Sequence, residues 1–307
     1  MLPGPARTGI ALSLLSAVGF CLMAILIRQA AGFNTFMVAQ FRFVIGLALL
    51  GTAALFGRIR LDFSNGWLLF FRGLSGGASV VLFFTSIAKL GIGKGTVISY
   101  GYPVFASLFS ALFLKERLGP RRWLAVFAAL LGIGLLSTRS PTPGAGGGFG
   151  IGRYELLAVT GALLSGIAVV LVRKLHETDS TYAIFFAQCL VGLWLVLIPA
   201  NLSGQALGYK GVSLLIGIGV LAAISQLLMT EGYRHLSVTT ASLLGMLTPV
   251  LSFAVGLVVF HEPMSARAIV GALIVLAACT VVIVTDRAEG SRGRPPAKEP
   301  VAAGADV

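Results

Sequence analysis

Long apolar stretches, each closed by charge, glycine or proline, alternate with short polar breaks along most of the chain. A helix needs roughly 20 mostly apolar residues to cross the hydrocarbon core of a bilayer. Measured against that length, ten stretches qualify: 8–29, 35–57, 66–89, 95–114, 120–138, 154–173, 180–200, 211–233, 239–260 and 265–285. None shows the period-two alternation of a transmembrane barrel strand, so helices are expected. The shortest break, Lys115-Glu116-Arg117-Leu118-Gly119 closed by Pro120, reads as a tight hairpin between helices. Arg7 ahead of the first stretch also fits a signal peptide, but that stretch is long enough to span and has a counterpart later in the chain. The fold class expected is all-α: a polytopic membrane protein of about ten transmembrane helices.

Composition narrows the function classes. Hydrophobic residues make up 57% and charged residues 11%, where a soluble globular chain carries about 25% charged. With a mean hydropathy of +0.94, there is too little polar surface for a soluble enzyme, a disordered regulator or a secreted disulfide scaffold. The net charge of +12 raises nucleic acid as a partner, yet Lys and Arg are scattered between apolar runs and form no basic face. Cys21, Cys189 and Cys279 fall inside apolar runs without metal-ligand spacing, so no metal or cofactor is expected.

The distribution of Lys and Arg sets the orientation. With the amino terminus in the cytoplasm, cytoplasmic segments carry 14 of these residues and the opposite side 7. Both termini are therefore expected in the cytoplasm.

Near the midpoint, residues 140–152 are rich in Gly and Pro and read as a linker. A gapless shift of 146 residues brings much of the second flank onto the first. Leu90 falls on Leu236, Pro103 on Pro249, Val104 on Val250, Glu116 on Glu262, Arg121 on Arg267 and Leu130 on Leu276. The same shift puts Arg28 on Lys174, Thr35 on Thr181 and Arg42 on Gln188. The informative part is a mid-helix Pro followed thirteen positions later by a helix-terminal Glu, twice. Five spans per copy is an odd number, so the second copy enters the membrane from the other side. The division expected is a first repeat over 1–139, the linker, a second repeat over 153–285 and a disordered cytoplasmic tail over 286–307, with the two repeats inverted.

At this point the chain resembles the ten-helix members of the drug/metabolite transporter superfamily built from two EamA-type repeats. The resemblance covers residues 8–285. It rests on Gln40-Phe41-Arg42-Phe43 and Arg72-Gly73-Leu74, and on Tyr102-Pro103-Val104-Phe105 followed by Leu114-Lys115-Glu116. Thr248-Pro249-Val250 followed by Phe260-His261-Glu262 completes the set. It implies a carrier in the bacterial inner membrane that moves small metabolites, often amino acids or their derivatives, by alternating access. The surroundings of Arg72 are similar to the branch that contains S-adenosylmethionine carriers. The partners expected are a small-molecule metabolite and the lipid bilayer; a homodimer is left open.

Ionisable residues at membrane depth cost on the order of 2.5–3.5 kcal/mol each on insertion scales, which makes them functional candidates. Arg42 is either a substrate contact or a snorkelling, helix-end residue; Gln188 is its counterpart in the second repeat. Arg72, beside Gly73, Ser75, Gly76, Gly77 and Ser79, is either a substrate or gate contact or the partner of Glu231. Pro103 and Pro249 free the carbonyls four residues earlier, those of Ser99 and Gly245, and broken helices at related positions mark a binding site. Ser99, Tyr100 and Tyr102 offer hydroxyls or an aromatic platform there. Gln226 is either interhelical glue or a lining residue. Glu116 and Glu262 are read as helix-terminating residues near opposite surfaces.

Several classes drop out. No Asp lies well inside a span and the few Glu and His candidates sit at span ends, so a mid-membrane proton relay is hard to build. No metal-hydrolase cluster and no P-loop occur, and nothing resembles a channel filter. A lipid-headgroup flippase is the alternative to a metabolite carrier.

Overall fold

The computed structural model describes residues 4–102, 104–106, 108–109, 120–137, 152–175, 178–202, 204–205, 208–235, 244–245 and 247–292. Pro103, Glu116 and residues 140–151 of the expected linker lie outside the described residues. Among the described residues there are ten helices and no strand. They are α1 (Gly4–Gln29), α2 (Thr35–Leu55), α3 (Gly66–Leu90), α4 (Ile92–Ser99), α5 (Pro120–Ser137), α6 (Arg153–Leu175), α7 (Thr181–Asn201), α8 (Tyr209–His235), α9 (Leu247–Val258) and α10 (Ala266–Arg292). By length and composition, α1, α2, α3, α6, α7 and α8 are each long and apolar enough to cross a membrane, and α5, α9 and α10 hold shorter apolar runs. Trp194, Ile198, Leu124 and Leu131 point outward and are largely exposed, which suits a protein whose solvent is lipid. The chain is a multi-pass membrane protein.

Two details depart from the sequence expectation. The fourth span starts at Ile92 rather than 95, because a single residue, Gly91, joins α3 to α4 at φ 90°. That dihedral is open to glycine and strained for residues with a Cβ. The fourth helix then ends at Ser99, and helical backbone resumes at Tyr102 and in residues 104–106 and 108–109. At the other end, α10 runs to Arg292, so residues 286–292 are helical rather than tail. Asp286-Arg287-Ala288-Glu289 offers no helix breaker before Gly290.

The directions of α1, α2, α3 and α7 follow from side-chain ties at their ends. Let the face at which α1 ends be the distal face. Arg28 at the end of α1 donates to the Ala88 carbonyl near the end of α3, and Asn34 before α2 donates to the Pro199 carbonyl near the end of α7. On the proximal face, Asp179 just before α7 accepts from the backbone N–H of Ser64 and Asn65 just before α3. Thus α1 runs toward the distal face and α2 away from it, while α7 runs toward it.

Packing obeys the same symmetry. Helix α1 packs on α8 as α6 packs on α3; α2 packs on α8 as α7 packs on α3; α1 meets α9 as α6 meets α4. The pairs α2·α7, α4·α9 and α5·α10 map onto themselves and so straddle the axis. This exchange of halves, with opposite directions for α2 and α7, is an inverted repeat.

Lipid supplies no hydrophobic drive between helices, so close contact depends on small residues. The small residues after Arg72 do this against α7. A Cβ on Gly77 would lie 2.7 Å from the Gly192 Cα, and one on Gly73 would lie 2.7 Å from the Val191 Cβ. Gly77→Val is therefore expected to destabilise the bundle by about 1–3 kcal/mol, the range for overpacking. A lower melting temperature in detergent would show it; unchanged melting would mean that α3 and α7 have slack.

Candidate functional site

Where the two halves meet, a cavity of about 210 Å³ opens between α1, α2, α3, α6, α7 and α8, with Ser99, Tyr100 and Tyr102 at the end of α4 and Gly245 and Thr248 at the start of α9. It inherits the symmetry of the bundle. Six pairs of its lining residues are related by the 146-residue shift: Met23/Val169, Arg42/Gln188, Val80/Gln226, Phe83/Met229, Ser99/Gly245 and Tyr102/Thr248. A chamber lined by equivalent positions of both repeats lies on their common axis.

Its chemistry is less symmetric than its shape. Arg42 is 6% exposed. Its Nη1 approaches the Met23 Sδ at 3.7 Å and its Cζ lies 5.6 Å from the centroid of the Phe84 ring. Arg72 donates from Nη2 to Gln188 Oε1 at 3.0 Å, while its Nε and Nη1 are buried without a hydrogen-bond acceptor. The sequence alternative of an Arg72–Glu231 pair does not form; Gln188 takes that place. Among the described lining residues there is no Asp, Glu, His or Lys.

An aromatic wall faces these cations. Phe83 and Tyr100 meet with centroids 6.1 Å apart, and Tyr100 and Tyr102 with centroids 6.0 Å apart. Ser99 Oγ, buried in the same wall, has no hydrogen-bond partner.

Of the nine residues the sequence singled out, Arg42, Arg72, Ser99, Tyr100, Tyr102, Gln188 and Gln226 line this one chamber. Pro103 lies outside the described residues. Pro249 is buried in α9 and is not a lining residue, but its neighbour Thr248 is, and Thr248 Oγ1 donates to the Ala17 carbonyl of α1 at 3.3 Å.

Sequence reasoning missed Ser13 and Ser16 of α1, Ser79 of α3 and Ser165 of α6, all in the lining. The spacing of Ser13 and Ser16 puts them on one helical face, which was the available signal. It is a weak one, because serines in membrane helices commonly serve as interhelical glue; Ser16 Oγ does so here, donating to the Ser225 carbonyl at 2.8 Å.

Away from the chamber, Glu262 does more than end its helix. Its Oε1 accepts from the Ile92 N–H at 2.7 Å and its Oε2 from the Gly93 N–H at 3.1 Å, while Arg28 Nε lies 3.3 Å away. One carboxylate thus satisfies the first N–H groups of α4 and joins the ends of α9 and α1. Nearby, Lys94 of α4 pairs with Glu155 of α6 at 2.7 Å. Both ion pairs lie at the distal face.

A polar chamber on the axis of two inverted helical repeats, inside a bundle that presents apolar side chains outward, is the architecture of a membrane transporter. The sequence profile of the EamA-like transporter family matches residues 7–138 and again 152–284, and the chain belongs to that family. It is 28% identical to the pseudopaline exporter CntI of Pseudomonas aeruginosa strain UCBPP-PA14, over 92% of this chain and 98% of that protein. It is 24% identical to the mouse solute carrier family 35 member G1, over 92% of this chain and 80% of that protein. A solved crystal structure superposes with a TM-score of 0.58 at 20% identity, covering 93% of this chain and 97% of that one; that likeness concerns the fold alone.

Proposed function

We propose that this protein is a secondary-active or facilitative carrier of small zwitterionic or anionic metabolites, amino acids or their derivatives among them, acting by alternating access in a bacterial inner membrane. The observation that carries this reading is a chamber on the symmetry axis lined by two guanidinium groups and, among the described residues, by no carboxylate. Such a chamber favours a carboxylate-bearing solute over a cationic drug. The substrate-binding set proposed is Arg42, Arg72, Ser99, Tyr100, Tyr102, Pro103, Gln188, Gln226 and Pro249, with the two prolines acting through the backbone carbonyls they leave without an N–H partner. We read residues 1–139 and 153–285 as the two repeats and, from the bias in Lys and Arg, both termini as cytoplasmic. The distal face is then periplasmic. The relative named as an exporter supports outward movement of a metabolite.

Reconstitution in liposomes tests the reading. Exchange of labelled amino acids and nucleoside metabolites across the vesicle is expected from correctly inserted protein. Scrambling of a labelled phospholipid without solute flux would instead identify the lipid-headgroup flippase.

A further inference from the structure

We propose that the transported species carries two negative charges, one opposite each of Arg42 and Arg72; this rests on the metabolite-carrier reading above and specifies its substrate class. A guanidinium does not shed its proton in a protein, so the chamber holds two positive charges at membrane depth. Buried charges are ordinarily paired. No carboxylate among the described residues lines the chamber, and three are committed elsewhere: Glu262 to Arg28, Glu155 to Lys94, and Asp179 to the Thr178 hydroxyl and two backbone N–H groups. Arg42 rests on a sulfur and an aromatic face, and Arg72 keeps Nε and Nη1 without an acceptor. A single monoanion would answer one of the two.

The repeat argues against a purely architectural role for these arginines. The position equivalent to Arg72 is Ile218, fully buried in the core, and the position equivalent to Arg42 is Gln188. The same architecture is thus built in the second half without either cation. Both charges come from the first half, on α2 and α3, while the second half contributes neutral Gln188, Gln226 and Thr248. The ligand's anionic groups therefore face α2 and α3, and its neutral polar part faces α8.

Two carboxylates or one doubly charged phosphate present this chemistry, and paired probes separate them. Binding to purified protein and counterflow in liposomes are measured for L-glutamate against L-glutamine, glutarate against butyrate, and O-phospho-L-serine against L-serine. Wild type is expected to favour the member with the additional anionic group by about tenfold or more, the scale of one charge-assisted contact. Arg42→Gln and Arg72→Gln should each bring that ratio close to one, while Arg42→Lys and Arg72→Lys, which keep the charge, retain most of it. Discrimination confined to the phosphoserine pair supports the charge count and names phosphate as its source. A wild type that transports glutamine as readily as glutamate, and serine as readily as phosphoserine, overturns the inference but leaves the carrier standing. Discrimination that survives in either Gln variant also overturns it, whereas a wild type that moves labelled solutes of other classes and no anion removes both this inference and the anionic-metabolite reading.

Discussion

Arg42→Ala is expected to lower solute flux by about 10- to 100-fold, the cost of one or two hydrogen bonds to a charged group, with insertion and melting temperature unchanged or raised. The asymmetry between function and stability follows from what Arg42 touches. A residue 6% exposed would normally be missed by the fold, but among the described residues this one is bonded to no carboxylate; its neighbours are the Met23 sulfur and the Phe84 ring. Removing it deletes a buried charge and leaves no counter-ion stranded. Flux measured at equal reconstituted protein, beside a thermal-unfolding curve, checks both halves of the statement. Retained flux would make Arg42 a structural residue; lost flux with collapsed melting would say that the fold depends on it.

Glu262→Gln is expected to give the opposite signature. Its carboxylate accepts from two backbone N–H groups at the start of α4 and faces Arg28. The amide keeps one acceptor, turns an N–H₂ group toward the other backbone donor and leaves Arg28 without its charge partner. A hydrogen bond to a charged group is worth about 1.5–3 kcal/mol, so a loss of roughly 2–4 kcal/mol is expected, with a melting temperature lower by several degrees. A double-mutant cycle with Arg28→Gln should show non-additivity, since Arg28 has little to lose once Glu262 is neutral. Additive effects would mean that the helix cap, not the ion pair, carries the stabilisation. Gly91 belongs to the same arrangement: a Cβ there would collide with the Glu262 carboxylate, so Gly91→Ala should resemble Glu262→Gln in melting.

The two cases divide along a line that also separates what could be read from the sequence. Arg42 and Arg72 stood out because a cation inside an apolar run is visible locally, whatever the rest of the chain does. The role of Glu262 was legible only as a helix ending, because its partners are the backbone of residues 92 and 93, 170 and 169 positions away. Side-chain periodicity carries no trace of that contact. Equally, the sequence offered Arg72 a substrate or gate contact or a bond to Glu231, and the structure gives it Gln188, 116 positions away, a partner that no local pattern names.

Legible in the sequence by itself were an all-helical, multi-pass fold of about ten helices and a second half that repeats the first, because hydropathy reports depth and rare residues at fixed spacing report duplication. The sequence also marked seven residues that meet in one chamber. Only the tertiary structure decided which helix faces meet, that α3 and α4 turn on one glycine, and that serines of α1 share the chamber with Gln226 of α8. The rotation of a membrane helix about its axis is set by close contacts between small residues, such as Gly77 on Gly192, and those contacts join segments far apart in the chain. Depth is a property of each segment alone, whereas facing is a property of pairs.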